Sequence, residues 1–228
     1  MSYFNSPRII TDGLVLCLDA GNTKSYLGSG TTWTDISRNN NTGTLSGGPT
    51  FSSANGGSFV FDGTNDCVSG ASFVPNITNK TLAAWVKLSS VSQQGGGVIN
   101  LETDGGGFFD AIVYNETNSG WGFGSDNFTR TSWSGVKETS TSDWVYMAAT
   151  YANNNYNLYR NSILILNTTS FSVLNFNTSS KSLIGARHTG GSSNYLSASI
   201  AFAQLYNRAL TSAEVLQNFN ATRGRFNI

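Results

Sequence analysis

The chain has 228 residues with 13 basic and 13 acidic side chains, and only 11% of its residues are charged, under half of the ~25% usual for soluble domains. No basic stripe is present to neutralise phosphates, which argues against a nucleic-acid reader, and the longest apolar runs, such as Leu14–Leu18, are too short to insert in a membrane. At 39% hydrophobic and 12% aromatic the chain can build one sizeable core, and a domain of this length buries roughly 70% of its unfolded surface without staples.

A period of two dominates the chain. The early strand candidates are Leu14–Leu18 and Ser58–Phe61, followed by the central run Thr81-Leu82-Ala83-Ala84-Trp85-Val86-Lys87. Val98–Leu101, Phe108–Tyr114, Trp144–Tyr151, Tyr156–Arg160, Ile163–Leu166, Ser182–Gly185 and Ala198–Tyr206 continue the pattern. These runs are short, rich in β-branched and aromatic residues, and bounded by Gly, Asn and Ser clusters. Many short strands with regular turn signals predict a sandwich or barrel rather than an α/β sheet.

One helix is expected. Thr211-Ser212-Ala213-Glu214 has the spacing of a capping box, and Val215 and Phe219 then share one face beside Leu216. That face should pack on the sandwich. Residues 1–12 and 221–228 fall outside the regular pattern and carry Pro7, Arg8, Arg223 and Arg225. They read as N- and C-terminal arms that dock onto a partner, flanking one domain over 13–220. Cys17 and Cys67 each sit in a strand-like run and are read as apolar thiols rather than a disulfide; two sulfurs do not make a zinc site.

Met1–Arg8 shows no basic region followed by an apolar stretch, so no secretory signal is expected. The triplets at Asn76-Ile77-Thr78 and Asn167-Thr168-Thr169 then read as chance rather than glycosylation sites.

Seven pieces in order carry a family resemblance. They are Leu18-Asp19-Ala20-Gly21-Asn22; Trp33-Thr34-Asp35-Ile36-Ser37 leading to Asn41–Leu45; Phe61-Asp62-Gly63-Thr64-Asn65-Asp66; Leu82–Lys87; Leu158–Asn161; Leu183-Ile184-Gly185; and Leu205–Thr211 with its helix. In this order the chain resembles the concanavalin A-like, laminin G-type domains. The resemblance implies an all-β antiparallel sandwich of jelly-roll type with one short C-terminal helix. The ending Gln217–Phe226 resembles phage-borne members, which implies a virion surface protein assembled in the host cytoplasm: a capsid decoration, or a tail or fibre adhesion module. Its partners would be other virion proteins and host glycans, in a homo-oligomer or another symmetric assembly. Members often carry an aromatic residue where Cys17 and Cys67 stand, in strands expected to lie near each other, which leaves a contact between the two sulfurs open beside the reading as free thiols.

Three chemistries occur on domains of this kind. Laminarinase-type hydrolases of this fold carry Glu-x-Asp-x-x-Glu on a strand; here Glu102-Thr103-Asp104 is followed by Gly107 where the second Glu should stand. His188, the single histidine, lies in a turn-like stretch without motif neighbours. No catalytic residue is therefore assigned and no cofactor is required. Relatives bind calcium at a sandwich edge, which makes Asp62, Asn65 and Asp66 candidate ligands, with Asp104, Asp110 and Asp126 as further oxygens; local turn bonding is the competing reading. For sugar, whose binding would make the chain a dedicated lectin as the alternative to a structural virion protein, an aromatic face beside Asn or Asp is needed. The loop Gly120–Trp133 offers Trp133, Asp126 and Asn127, and Tyr195 is a further candidate, while Trp121 and Phe123 alternate as core residues would. Trp33, Trp85 and Trp144 are assigned to the core.

Overall fold

The computed structural model of the chain describes residues 7–72, 76–177, 179–189 and 195–228. Its early strands are β1 (Leu14–Asp19), β2 (Thr32–Trp33), β3 (Gly43–Ser46), β4 (Thr50–Ser52), β5 (Ser58–Asp62), β6 (Cys67–Ser72), β7 (Lys80–Leu88) and β8 (Gly97–Glu102). Then come β9 (Phe109–Tyr114), β10 (Trp121–Ser125), β11 (Ser132–Trp133), β12 (Val145–Ala152), β13 (Asn155–Arg160), β14 (Ile163–Thr168), β15 (Lys181–Ile184) and β16 (Ser197–Tyr206), followed by helix α1 (Ser212–Thr222).

Two sheets pack as a sandwich. The first has the order β14-β13-β12-β7-β16-β5-β4, with β1 also on β16; the second has the order β11-β10-β9-β8-β15-β6-β3-β2. Strand β16 is long enough to serve two partners on one edge: Ser197–Ile200 pairs with β5, and Phe202–Tyr206 pairs with β1. The sandwich, its antiparallel pairing and the single helix agree with the expectation from sequence.

The middle of the first sheet is buried on both sides, which explains the unbroken apolar run of β7. Leu82, Ala84 and Val86 face the second sheet and join a core that includes Trp33, Phe59, Trp121 and Phe123. Ala83 and Trp85 point the other way, into a second cluster with Tyr146, Phe202, Val215, Phe219 and Phe226. Pleating sends alternate residues to opposite faces, so a strand with two apolar faces must be covered twice. Helix α1 and the turn after it supply the second cover.

The helix starts as its sequence predicts. Thr211 Oγ1 accepts from the Glu214 amide at 3.3 Å, and the Glu214 carboxylate accepts from the Thr211 amide at 2.8 Å. Arg208 grips the same carboxylate with two bonds of 2.9 and 2.7 Å and, against the cost of its partial burial, helps to draw the Glu214 carboxyl down to about 2.

The terminal residues lie against the sandwich. Residues 223–226 form a 3-10 turn with Phe226 buried against Trp85, ring centroids 4.2 Å apart. Arg225 pairs with Asp19 and donates to the carbonyls of Asn55 and Gly57. At the other end, buried Asn218 accepts from the Ile10 amide at 2.7 Å, and Gln217 donates to the Arg8 carbonyl at 2.8 Å. Phe226 and Arg225, two of the groups assigned to the C-terminal arm, are thus engaged within the domain itself, where Phe226 covers the outer face of β7.

The two cysteines are free thiols, as expected, and the contact left open between their sulfurs is not formed. Cys17 lies in the first sheet, buried on its helix side, whereas Cys67 lies in the second sheet. Similar strand positions in sequence do not imply the same sheet.

Candidate functional site

Among the described residues, no helix covers the outer face of the second sheet. In β9, Ile112 and Tyr114 face the core, so Phe109, Ala111 and Val113 face outward and form a small apolar cluster. Trp133 of β11 packs against it half-buried. Its ring lies directly over Gly122 of β10, where a Cβ would come within 2.4 Å of it, so the close approach requires glycine.

Two segments rise from this face and leave a cleft of about 350 Å3 between them. Phe109, only 4% exposed, forms the floor. On one side the His188 ring stacks on Phe109, with centroids 4.6 Å apart and planes 14° from parallel. That segment is held down by two buried polar residues of β8. Asn100 donates to the Arg187 carbonyl, and the Glu102 carboxylate accepts from the Thr189 amide at 2.8 Å and its hydroxyl at 2.6 Å. Arg187 pairs with Glu116 at the rim. Burial and the neighbouring Arg187 charge hold the His188 imidazole below its ordinary value, so it is neutral at pH 7.

The opposite wall is the turn Asp126–Phe128. Asn127 is exposed, and the Phe128 ring is 57% exposed. Asp126 is buried, and its carboxylate accepts from Arg130 at 2.6 Å.

The sequence candidates therefore divide. Asn127 and Asp126 line the cleft, but Asp126 is occupied by Arg130 and shapes the wall rather than offering a free carboxylate. Trp133 extends the apolar floor outside the cleft. Tyr195 is half-buried and bridges to Ala186 at the base of the Arg187–His188 segment, away from the lining. Phe109, Phe128, Glu116 and Arg187 were not among the sequence candidates. They come from four separate segments, and only the fold brings them together.

The residues proposed for calcium do not fit that ion. Asp62 Oδ1 accepts from the Thr64 amide at 2.7 Å, Asp66 Oδ2 accepts from the Asp62 amide at 2.9 Å, and the Asn65 carbonyl is pressed against Gly47. Asp110 and Asp126 are paired with Arg130. Among the described residues, no three His, Cys, Asp or Glu side chains are grouped to hold a metal ion, whereas calcium takes about six to eight oxygens. Glu102, the first residue of the hydrolase-like motif, is fully buried and consumed by Thr189 and Lys181.

A larger hollow of about 840 Å3 lies on the helix side, bordered by Trp85, Arg225 and Phe226. Its aromatic rings stack on each other, and Arg225 is satisfied by Asp19 and two carbonyls. It is a seam between the terminal turn and the sheet, so the cleft on the open face is the better candidate site.

A two-sheet antiparallel sandwich with one face closed and a polar-aromatic cleft on the other defines a lectin-like jelly roll. The family model described as the concanavalin A-like lectin/glucanases superfamily, of laminin G type, matches residues 61–216, and the chain belongs to that superfamily. No curated protein matches it. Among solved structures, domain 4 of the extracellular GH43 arabinanase AbnA from Geobacillus stearothermophilus, in complex with arabinotriose, is similar over 90% of this chain and 97% of that one, at 14% identity and a TM-score of 0.73. Trypanosoma rangeli sialidase is similar at 15% identity and a TM-score of 0.68, over 95% of this chain but 34% of the sialidase. The binding domain of botulinum neurotoxin DC, in complex with rat synaptotagmin II, is similar at 12% identity and a TM-score of 0.64, over 93% of this chain and 52% of that one. Identities this low show a shared fold.

Proposed function

We propose that the chain is a non-enzymatic binding module that takes a glycan in the cleft on the outer face of its second sheet. The observation that carries this reading is the exposed Phe128 ring beside Asn127, across from Arg187 and Glu116. An aromatic face stacks on the apolar side of a sugar ring, and amide, guanidinium and carboxylate groups bond its hydroxyls. The absence of a second carboxylate at Gly107, together with the buried, occupied state of Glu102, supports binding over hydrolysis. The setting we propose is the surface of a phage particle, as a capsid decoration or a tail-fibre module. That setting rests on the resemblance of residues 217–226 and on a neutral, hydrogen-bonding composition.

A glycan array probed with the purified protein, with and without calcium, tests the reading. Reproducible binding lost in Phe128→Ala and Asn127→Ala, and insensitive to chelation, is the expected result. Silence across the array from a protein folded by circular dichroism would overturn it and direct the search to protein neighbours on the particle.

A further inference from the structure

The lip of the cleft is built from backbone that its residue types disfavour. Asn127 and Phe128 have consecutive left-handed φ values of 47° and 58°. Asn tolerates that region, but a bulky aromatic residue rarely adopts it. The Phe128 ring, largely in solvent, gains little packing in return.

What holds this turn lies beneath it. Lys80 of β7 is fully buried, with its Nζ 2.9 Å from Asp110 Oδ2 and set between the rings of Tyr151 and Phe176 at 5.0 and 4.6 Å. Asp110, on the inner face of β9, accepts from Arg130 Nε at 3.0 Å through its other oxygen. Arg130 Nη2 in turn donates to Asp126 Oδ1 at 2.6 Å and to the Phe109 carbonyl at 3.1 Å. Burial disfavours both cations. It lowers Lys80 despite Asp110, while Arg130 is raised because Asp110 and Asp126 outweigh its burial. Two cations and two carboxylates thus run from the first sheet, through the second, into the wall of the cleft. The ends of the turn are pinned as well: the Arg130 amide donates to Ser125 Oγ at 2.7 Å, and the Ser125 amide to Thr131 Oγ1 at 3.1 Å.

Apolar side chains of similar volume would join two sheets as well as buried charges do. Strained backbone persists only where its surroundings impose it, and such strain clusters at ligand sites. We infer that the Lys80–Asp110–Arg130–Asp126 chain is the positioning device of the binding site, fixing the 126–128 turn in its strained form so that the Phe128 ring stands ready to stack on a sugar. Arg130 is the positioning residue and Phe128 the ligand contact. A ring fixed before binding costs less ordering when the ligand arrives. This inference rests on the glycan reading above.

The test combines three variants with two kinds of readout. Phe128→Asn keeps a residue that accepts left-handed φ but deletes the ring; Phe128→Tyr keeps the ring; Arg130→Lys keeps the charge but not the planar fork. Binding is titrated with arabinotriose, maltotriose and chitotriose, and stability is read as Tm with amide exchange over residues 125–131. Phe128→Asn should raise Tm by about 2 °C while weakening trisaccharide binding by about tenfold or more. Phe128→Tyr should retain binding, and Arg130→Lys should speed exchange in the turn and weaken binding in a folded protein. A Phe128→Asn protein with a lowered Tm would make the ring a packing residue and overturn the inference, as would one that binds like the wild type. Unchanged exchange in Arg130→Lys would show that the charges do not hold the turn. If the wild type binds none of the three sugars, the glycan reading falls and takes the ligand contact with it, while Tm and exchange still decide whether the buried charges hold a strained turn.

Discussion

Replacing Phe226 by alanine removes the ring that closes the outer cluster of the first sheet. That ring is 6% exposed, lies 4.2 Å from Trp85 at 28° between planes, and lies 4.8 Å from Trp144. Truncating a buried Phe to Ala costs about 3–5 kcal/mol where the surroundings cannot relax. Here the ring is carried by a terminal 3-10 turn that can partly collapse, so the lower end of about 3 kcal/mol applies. A domain of this size shifts its Tm by roughly 2–4 °C per kcal/mol, which places the expected fall at about 6–12 °C. Thermal unfolding followed by circular dichroism measures it. Tryptophan fluorescence gives a second view, since Trp85 and Trp144 flank the lost ring. A fall of less than about 2 °C would refute the reasoning. The terminal turn would then be an appendage, free to serve as an arm for a neighbour.

Three further outcomes follow from the same contacts. Glu214 is held at about 2 against an ordinary 4.5, so its stabilisation is complete above 4.5 and is lost as pH falls through about 2; a Tm–pH profile should show this acid limb, and Glu214→Gln should flatten it. Lys80→Met leaves the buried Asp110 with one cation instead of two and should cost about 3 kcal/mol in urea unfolding, whereas a loss below about 1 kcal/mol would mean that Arg130 alone satisfies the carboxylate. Burial, with nearby Asp19 and Asp35, pushes the Cys17 thiol up, and burial with Asp66 pushes Cys67 up; both should react slowly with Ellman's reagent in the native state and titrate as two free thiols after unfolding without reductant.

Much of the fold was legible because each visible signal is local. The alternating runs located ten of the strands to within a residue or two, and Thr211–Glu214 specified the helix start down to its two reciprocal bonds. Strand β6 escaped because Cys-Val-Ser-Gly-Ala-Ser has no aromatic residue and only Val68 as a β-branched one, too few of the residues that mark strands. Gly70 is there for space, since a Cβ would fall 2.4 Å from Ser182 Oγ on the neighbouring strand β15. The packing of the terminal residues was not legible for a related reason: Phe226 gives no periodic signal, and Trp85, on which it stacks, lies 141 residues away in β7. The cleft was legible only in part. Asn127 stood out as a polar residue among aromatics, but the alternation of Phe108 and Phe109 does not say which ring faces outward. The partnership of Phe128 with Arg187 joins segments that no pattern links. One signal was readable and went unused. A carboxylate inside the run Phe-Phe-Asp-Ala-Ile-Val-Tyr faces the core at Asp110, and a buried carboxylate calls for a cation elsewhere in the chain.

The two outer faces of the sandwich explain where a ligand can bind. Strands β7 and β16 lie in the middle of the first sheet, and their outward residues Trp85, Phe202 and Tyr206 are large and apolar. A face of that kind must be covered, and α1 with the terminal turn covers it, which removes it from use. The second sheet turns Gly122, Gly124 and Ala111 outward at the corresponding depth, small residues over which side chains of the sheet itself, Trp133 above Gly122 and Val113 beside Gly124, close in and keep the face low. Over that shallow surface the chain places two segments, each held from below by buried polar groups: Asn100 and Glu102 under Arg187–Thr189, and Asp110 under Arg130. Polar groups buried in strands are costly unless they are satisfied, and here they are satisfied by the backbone and side chains of the two cleft walls. The same bonds that balance the burial of those groups therefore fix the width of the cleft.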